Sequence, residues 1–250
     1  MADPPLLEVR GLSKRFGGLH AVRDLSFALR EGEIVSLIGP NGAGKTTVFA
    51  LLSGFQVADR GDIRLRGRSL VGLKPHAICA LGLARTFQIV RPFPHLSVLA
   101  NVEVGALARE PRRPAARARA RAVLEQVGLS GKMSQPAGSL TLAERKRLEL
   151  ARALATRPAL LLLDEVMAGL NAAETGRIVE LVRGINESGV SILLIEHVMR
   201  AVMSLSARVI AINYGETIAE GRPGEVASDP RVIEAYLGEP GEAGGGAAPA

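Results

Sequence analysis

The sequence predicts an α/β fold with a mainly parallel core sheet, an antiparallel β subdomain and an inserted helical subdomain. Three observations predict it. Short apolar runs rich in leucine and β-branched residues alternate with longer helical patterns. The first thirty residues and "GDIRLRGRSL" at 61–70 alternate like an antiparallel sheet with one wet face. From residue 89 to about 150 no convincing strand occurs, as expected of a small helical subdomain set into the core.

Taken in order, "EIVSLIG" (33–39) reads as a buried strand running into a glycine loop. "KTTVFALLSG" follows as a helix that Gly54 stops. "ALLLLDE" (159–165) and "VSILLIEH" (190–197) read as two further buried strands, each ending in ionisable residues. Between them "AAETGRIVELVRGINESG" has helical periodicity and ends at Gly189. "ARVIAINYGETIAEG" (207–221) predicts a hairpin with its turn near Tyr214 and Gly215. Residues 239–250 are rich in Gly, Ala and Pro and are expected to be disordered.

Bulk properties narrow the function classes. The single cysteine, Cys79, excludes an internal disulfide and fits a reducing compartment. The N-terminus lacks a basic segment followed by an apolar one, so no secretory signal is expected, and no apolar run is long enough to span a bilayer. A membrane role would therefore need a partner. The net charge of +6 raises nucleic acid or an anionic membrane surface as partners. Much of that excess lies in "REPRRPAARARARA" (109–122), which reads as a solvated helical face. No aromatics interleave with the charge, so nucleic acid is not expected as a partner.

"GPNGAGKT" at 39–46 fits G-x-x-x-x-G-K-[ST] in the setting that gives the pattern meaning, after a strand and opening a helix. Gly39, Gly42 and Gly44 would let the backbone, with Pro40, Asn41 and Ala43, wrap around phosphate oxygens, while free N–H groups through Thr47 face the anion. Lys45 would reach the β- and γ-phosphates, and the Thr46 hydroxyl would bind Mg²⁺. The leucines at 160–163 lead into Asp164 and Glu165, which should face the loop because ligands bind beyond the carboxyl ends of strands. Asp164 would hold Mg²⁺ and Glu165 would polarise the attacking water as general base. His20, His76 and His95 read as caps or satisfied core groups.

With these motifs in this order, the chain resembles the ATP-binding subunit of ABC transporters over roughly residues 6–238, that is, a P-loop NTPase of ABC type. The resemblance implies a single ATPase domain over 1–238, with its helical subdomain at about 89–150, and ATP and Mg²⁺ as ligands. In "ARTFQ", Gln88 matches the glutamine that touches Mg²⁺ and the attacking water. His197 in "LLIEHVM" matches the histidine that contacts the γ-phosphate, and Phe16 the aromatic ring that stacks on adenine. "LSKRFGGLHAV", "RTFQIVRPFPHLSVLANVEVGA", "AGLN" and "INYGETIAEGRPGEV" look most like ATPases of branched-chain amino-acid importers or their urea and amide relatives. An exporter or lipid-transport ATPase, or a non-transport ABC protein acting on nucleic acid, are the alternatives.

Membership of that family implies a dimer with a second ATPase subunit, identical or different. It implies integral membrane permease subunits that dock on the helical subdomain, and indirectly an external solute-binding protein. The location implied is peripheral, on the cytoplasmic face of the inner cell membrane. One stretch departs from the family pattern. Where LSGGQ is expected the chain has "LTLAE" (140–144), in which Thr141 keeps the hydroxyl that would face the nucleotide in trans. Thr141 and Glu144 also have the spacing of a capping box. Helix geometry does not demand glycine at Leu142 and Ala143, so restoring glycine there is expected to leave activity equal or higher.

Overall fold

The computed structural model describes residues 4–88 and 92–237. The tail expected to be disordered, 239–250, lies outside the described residues, as do Ile89, Val90 and Arg91 within the first part of the expected helical subdomain. The chain opens with β1 (Leu7–Phe16) and β2 (Leu19–Leu29), passes through β3 (Ile34–Ile38) and α1 (Lys45–Leu52), and returns in β4 (Arg60–Leu65) and β5 (Arg68–Ser69). Strands β2, β1, β4 and β5 form an antiparallel sheet in that order. Next come α2 (Pro75–Leu81), β6 (Leu83–Arg85), α3 (Val98–Ala106), α4 (Arg113–Gln126) and α5 (Leu142–Ala155). The remaining elements are β7 (Leu160–Asp164), α6 (Ala172–Glu187), β8 (Ser191–Ile195), α7 (Met199–Leu205), β9 (Arg208–Asn213), β10 (Glu216–Gly221), α8 (Pro223–Ala227) and α9 (Pro230–Leu237).

The second sheet has the order β10-β9-β3-β8-β7-β6 and is parallel except for β10, which returns antiparallel on β9. Its inner strands β3, β7 and β8 are buried along their whole length. The pleat sends alternate residues to opposite faces, and the core divides accordingly. Leu161, Leu163, Ile192 and Leu194 join α3, α4, α5 and α6 on one face. Leu160, Leu162, Leu193 and Ile195 join α1 and the antiparallel sheet on the other. Helices α3 to α6 thus share one apolar cluster with the central sheet. In α4, Ala116, Ala120, Val123 and Leu124 are buried. Arg117 and Arg121 between them are exposed, whereas Arg119 is half-buried and donates to the Leu154 carbonyl at 2.9 Å, so the solvated face expected here is interrupted at that residue.

The 208–221 hairpin turns at Tyr214 and Gly215, with φ of 48° and 82°. Positive φ at both central positions is the twist-matched hairpin turn. Strand β6 was not foreseen, since three residues are too few to show a period, yet its pairing with β7 brings Arg85 alongside Leu162, near the end of that strand. His76 and His95 are exposed and His20 is half-buried, so none of the three is the satisfied core group expected. His76 lies on the short helix α2, His95 in a loop and His20 in strand β2.

Candidate functional site

The carboxyl ends of β3, β7 and β8 open together onto one cleft, with β8 seated between the other two. Phe16, the loop from Asn41 to Thr47, Gln88, Glu165 and His197 all line it, together with Leu19, His20, Ala21 and Tyr214. Residues distant in sequence therefore meet as the motif order required. Gly39 and Pro40 form the near end of the loop behind this lining, Asp164 sits beneath it, and Thr141 lies outside it at the start of α5.

The loop is held by its own surroundings. A Cβ at Gly39 would meet the Ile212 carbonyl oxygen at 2.2 Å, and one at Gly44 would meet that of Ala21 at 2.2 Å. These two glycines are needed where the loop abuts β9 and β2, rather than where phosphate would approach. Gly42, with φ of 82° and open space beside it, is the one turned outward. The Gly39 N–H donates to the Tyr236 hydroxyl of α9 at 2.8 Å, and the Gly215 N–H donates to the Ala43 carbonyl at 3.0 Å. No side chain caps α1, so its N-terminal N–H groups and dipole face the cleft.

Lys45 is 6% exposed, and its ammonium donates to the carbonyls of Gly39 at 2.6 Å and Pro40 at 2.8 Å. Burial lowers its pKa, and the carboxylates of Glu165 and Asp164 pull it partly back up. The Glu165 carboxylate is gripped from two sides. Gln88 Nε2 donates to Oε2 at 2.6 Å, and His197 Nε2 lies 3.0 Å from Oε1. The Glu165 backbone has φ of 48°, uncommon for a residue with a side chain. Its N–H bonds the Ile195 carbonyl at 2.9 Å, and its own carbonyl accepts from the buried Lys146 at 3.0 Å. Such strain persists only where the surroundings fix it, and it collects at functional sites.

Asp164 is 1% exposed. Arg85 donates to its Oδ2 at 2.8 Å from a somewhat less enclosed position. Oδ1 is buried without a partner among the described residues. Phe49 and Phe87 flank the Arg85 guanidinium, with ring centroids 5.7 Å and 5.2 Å away. The oxygens of Thr46, Gln88 and Asp164 are hard donors, and the orphaned Oδ1 is one of them. Among the described residues no cluster of three His, Cys, Asp or Glu side chains could cage a metal alone. That combination fits Mg²⁺, which takes few protein ligands and completes its shell with water and phosphate.

Sequence reasoning missed Arg85, Lys146, Glu149 and Glu196. Burial raises the carboxyls of Glu149 and Glu196 to about 7, opposed by the Phe87 N–H on the first and the Met167 N–H on the second. Glu149 between two leucines and Glu196 at the end of an apolar strand are oddities that could have found them, whereas Lys146 stands in a charged run and Arg85 in a strand too short to show a pattern.

A second groove runs between α2 and β6 on one side and α3 and α5 on the other. Phe55 and Phe87 line it, meeting edge to face at 5.4 Å, along with Val104, Glu149 and Arg152. All three apolar side chains are about half exposed.

The ABC transporter family matches residues 22–168, and the branched-chain amino acid ATP-binding cassette transporter family matches 216–242. The high-affinity branched-chain amino acid transport ATP-binding protein LivG of Salmonella typhimurium is 46% identical, across 94% of this chain and 98% of its own. BraF of Pseudomonas aeruginosa, described in the same words, is 43% identical over the same shares. Among solved structures, the ADP conformation of MJ1267, an ATP-binding cassette of an ABC transporter, superposes with a TM-score of 0.86 at 29% identity, across 95% of this chain and 100% of that one.

Proposed function

Because the chain belongs to the ABC transporter family of ATP-binding cassettes, we propose that it binds and hydrolyses ATP to power an importer of branched-chain amino acids. The observation that carries the chemistry is the Glu165 carboxylate, held between Gln88 and His197 at the mouth of the phosphate loop. The observation that supports the branched-chain amino acid reading is the family match over residues 216–242, together with the likeness to LivG and BraF.

In this reading residues 1–238 act as one ATPase domain, with the helical subdomain at about 89–150. Phe16, about half exposed at the cleft wall, stacks on adenine. The loop from Gly39 to Thr47 encloses the phosphates with backbone N–H groups. Lys45 exchanges the Gly39 and Pro40 carbonyls for β- and γ-phosphate oxygens. Thr46, Gln88 and Asp164 would hold Mg²⁺, which when bound neutralises charge on those oxygens. Glu165 takes the proton from the attacking water, Gln88 orients that water, and His197 contacts the γ-phosphate.

Thr141 completes the site in trans, facing the nucleotide of a second ATPase subunit, whether a copy of this chain or a different one. No helix among the described residues is long and apolar enough to cross a membrane. Attachment at the cytoplasmic face then falls to the permease subunits, and the groove lined by Phe55, Phe87 and Val104 suits an apolar segment of such a partner. A solute-binding protein on the far side would deliver the amino acid.

The test assembles the full chain with its permease subunits in vesicles and measures phosphate release with and without leucine-loaded binding protein. Loaded binding protein should raise turnover. Glu165→Gln should lower it by about a hundredfold or more while ATP still binds. Hydrolysis that ignores both changes would defeat the proposal.

A further inference from the structure

Helix α5 carries Lys146, Glu149 and Arg152 at three-residue spacing, which places them along one face. That face is turned toward the segment bearing Gln88. The Glu149 carboxylate accepts from the Phe87 N–H. The Arg152 guanidinium lies 5.2 Å from the centroid of the Phe93 ring. Lys146 reaches furthest. Its ammonium donates to the Gln88 carbonyl at 3.3 Å and to the Glu165 carbonyl at 3.0 Å. Gln88 and Glu165 are the two residues whose side chains meet at 2.6 Å in the cleft. A single buried cation therefore holds the backbone behind both halves of that contact.

Lys146 is only 3% exposed, and an ammonium kept from water at that depth is costly unless its partners repay it. Its charge is also felt by the buried carboxyls of Glu149 and Glu196. What lysine adds is a fixed distance between two carbonyls. One belongs to a residue in the left-handed region, where peptide orientation must be imposed from outside.

We propose that Lys146 is a positioning residue for ATP hydrolysis. Its ammonium ties the main chains of Gln88 and Glu165 to α5, so that the amide and the carboxylate keep their geometry as one unit with the helix that starts at Thr141. The proposal rests on the ATPase reading above. It adds a path from the helix start, where the other subunit's nucleotide is read, to the catalytic carboxylate of the same subunit.

The experiment compares wild type, Lys146→Met and Lys146→Arg as full chains assembled with the permease subunits. It records affinity for a fluorescent ATP analogue, KM, kcat and Tm. Lys146→Met should bind the analogue within about twofold of wild type but lose about tenfold or more in kcat, since a small misplacement of catalytic groups costs that much. Lys146→Arg, with a charged fork able to reach both carbonyls, should recover most of kcat. Lys146→Gln, which keeps an NH2 donor group but no charge, is read in the same way if the methionine variant loses its melting transition. A Lys146→Met kcat within about twofold of wild type overturns the proposal, as does a loss of affinity equal to the loss of kcat. A wild type that turns over no ATP overturns both readings, whereas an active wild type matched by Lys146→Met overturns this one alone.

Discussion

The ion pair of Arg85 and Asp164 shows how much of this site is decided by single side chains. Both side chains are largely enclosed and they pair directly, with Lys45 a second cation whose charge Asp164 feels. Lysine in place of Arg85 would lose the flat face that Phe49 and Phe87 cover. Arg85→Met should cost about 3–5 kcal/mol, because it strands the buried carboxylate. Chemical denaturation should register that loss, and a smaller one when Asp164→Asn is already present. Equal losses in both backgrounds would mean that the arginine acts through packing. Lys45, Asp164 and Glu165 could be picked out beforehand because loop chemistry and strand ends confine them to short motifs. Arg85 could not, since its partner is 79 residues away and its strand is too short to show a pattern.

At the scale of an element, α5 was the most legible from sequence and also the most revised. Thr141 accepts from the Glu144 N–H, and Glu144 accepts from the Thr141 N–H at 3.0 Å, so the capping box forms as its spacing required. Thr141→Ala should cost about 1 kcal/mol, which calorimetry would report as a Tm lower by roughly 2–4 °C. An unchanged Tm would mean that tertiary packing alone fixes the helix start. The expected harmlessness of glycine at 142 and 143 needs qualification. Ala143 is buried, and Leu142, though 40% exposed, sits so close to Gly169 that a Cβ there would meet its methyl at 3.1 Å. Glycine at both positions removes these contacts and weakens the helix, so any gain in phosphate clearance comes with a looser element. What escaped sequence reading was the inward face of the helix, where Lys146 and Glu149 interrupt the apolar period for reasons that only the neighbouring loop reveals.

Across the whole molecule, the two buried glutamates make stability depend on pH. Glu149 and Glu196 release their protons at about 7 in the folded chain, against a reference of 4.5. Between those values the folded state holds more protons than the unfolded one, so stability falls as pH rises. The cost is absent below about 4.5 and complete above about 7. Tm should therefore be lower at pH 8 than at pH 6, and Glu149→Gln should flatten that slope. A Tm that climbs over the same interval would show that both carboxylates are stabilised as anions. The alternation of leucine strands with helices was enough to forecast a two-faced parallel sheet. It did not forecast the strand order, because adjacency of β3 to both β8 and β9 depends on crossovers that no local pattern records.

That strand order also sets a timetable for the growing chain. The phosphate loop belongs to the first fifth of the sequence, but much of its enclosure belongs to the last. Strand β3 waits for β9, Gly39 packs on Ile212, Ala43 receives the N–H of Gly215, and the N–H of Gly39 finds its acceptor only in Tyr236. Until those later residues have left the ribosome, the loop exists as sequence without its walls. The walls of the loop are thus complete only once β9 and α9 have been made, and a chain cut short before α9 leaves one loop donor without its acceptor.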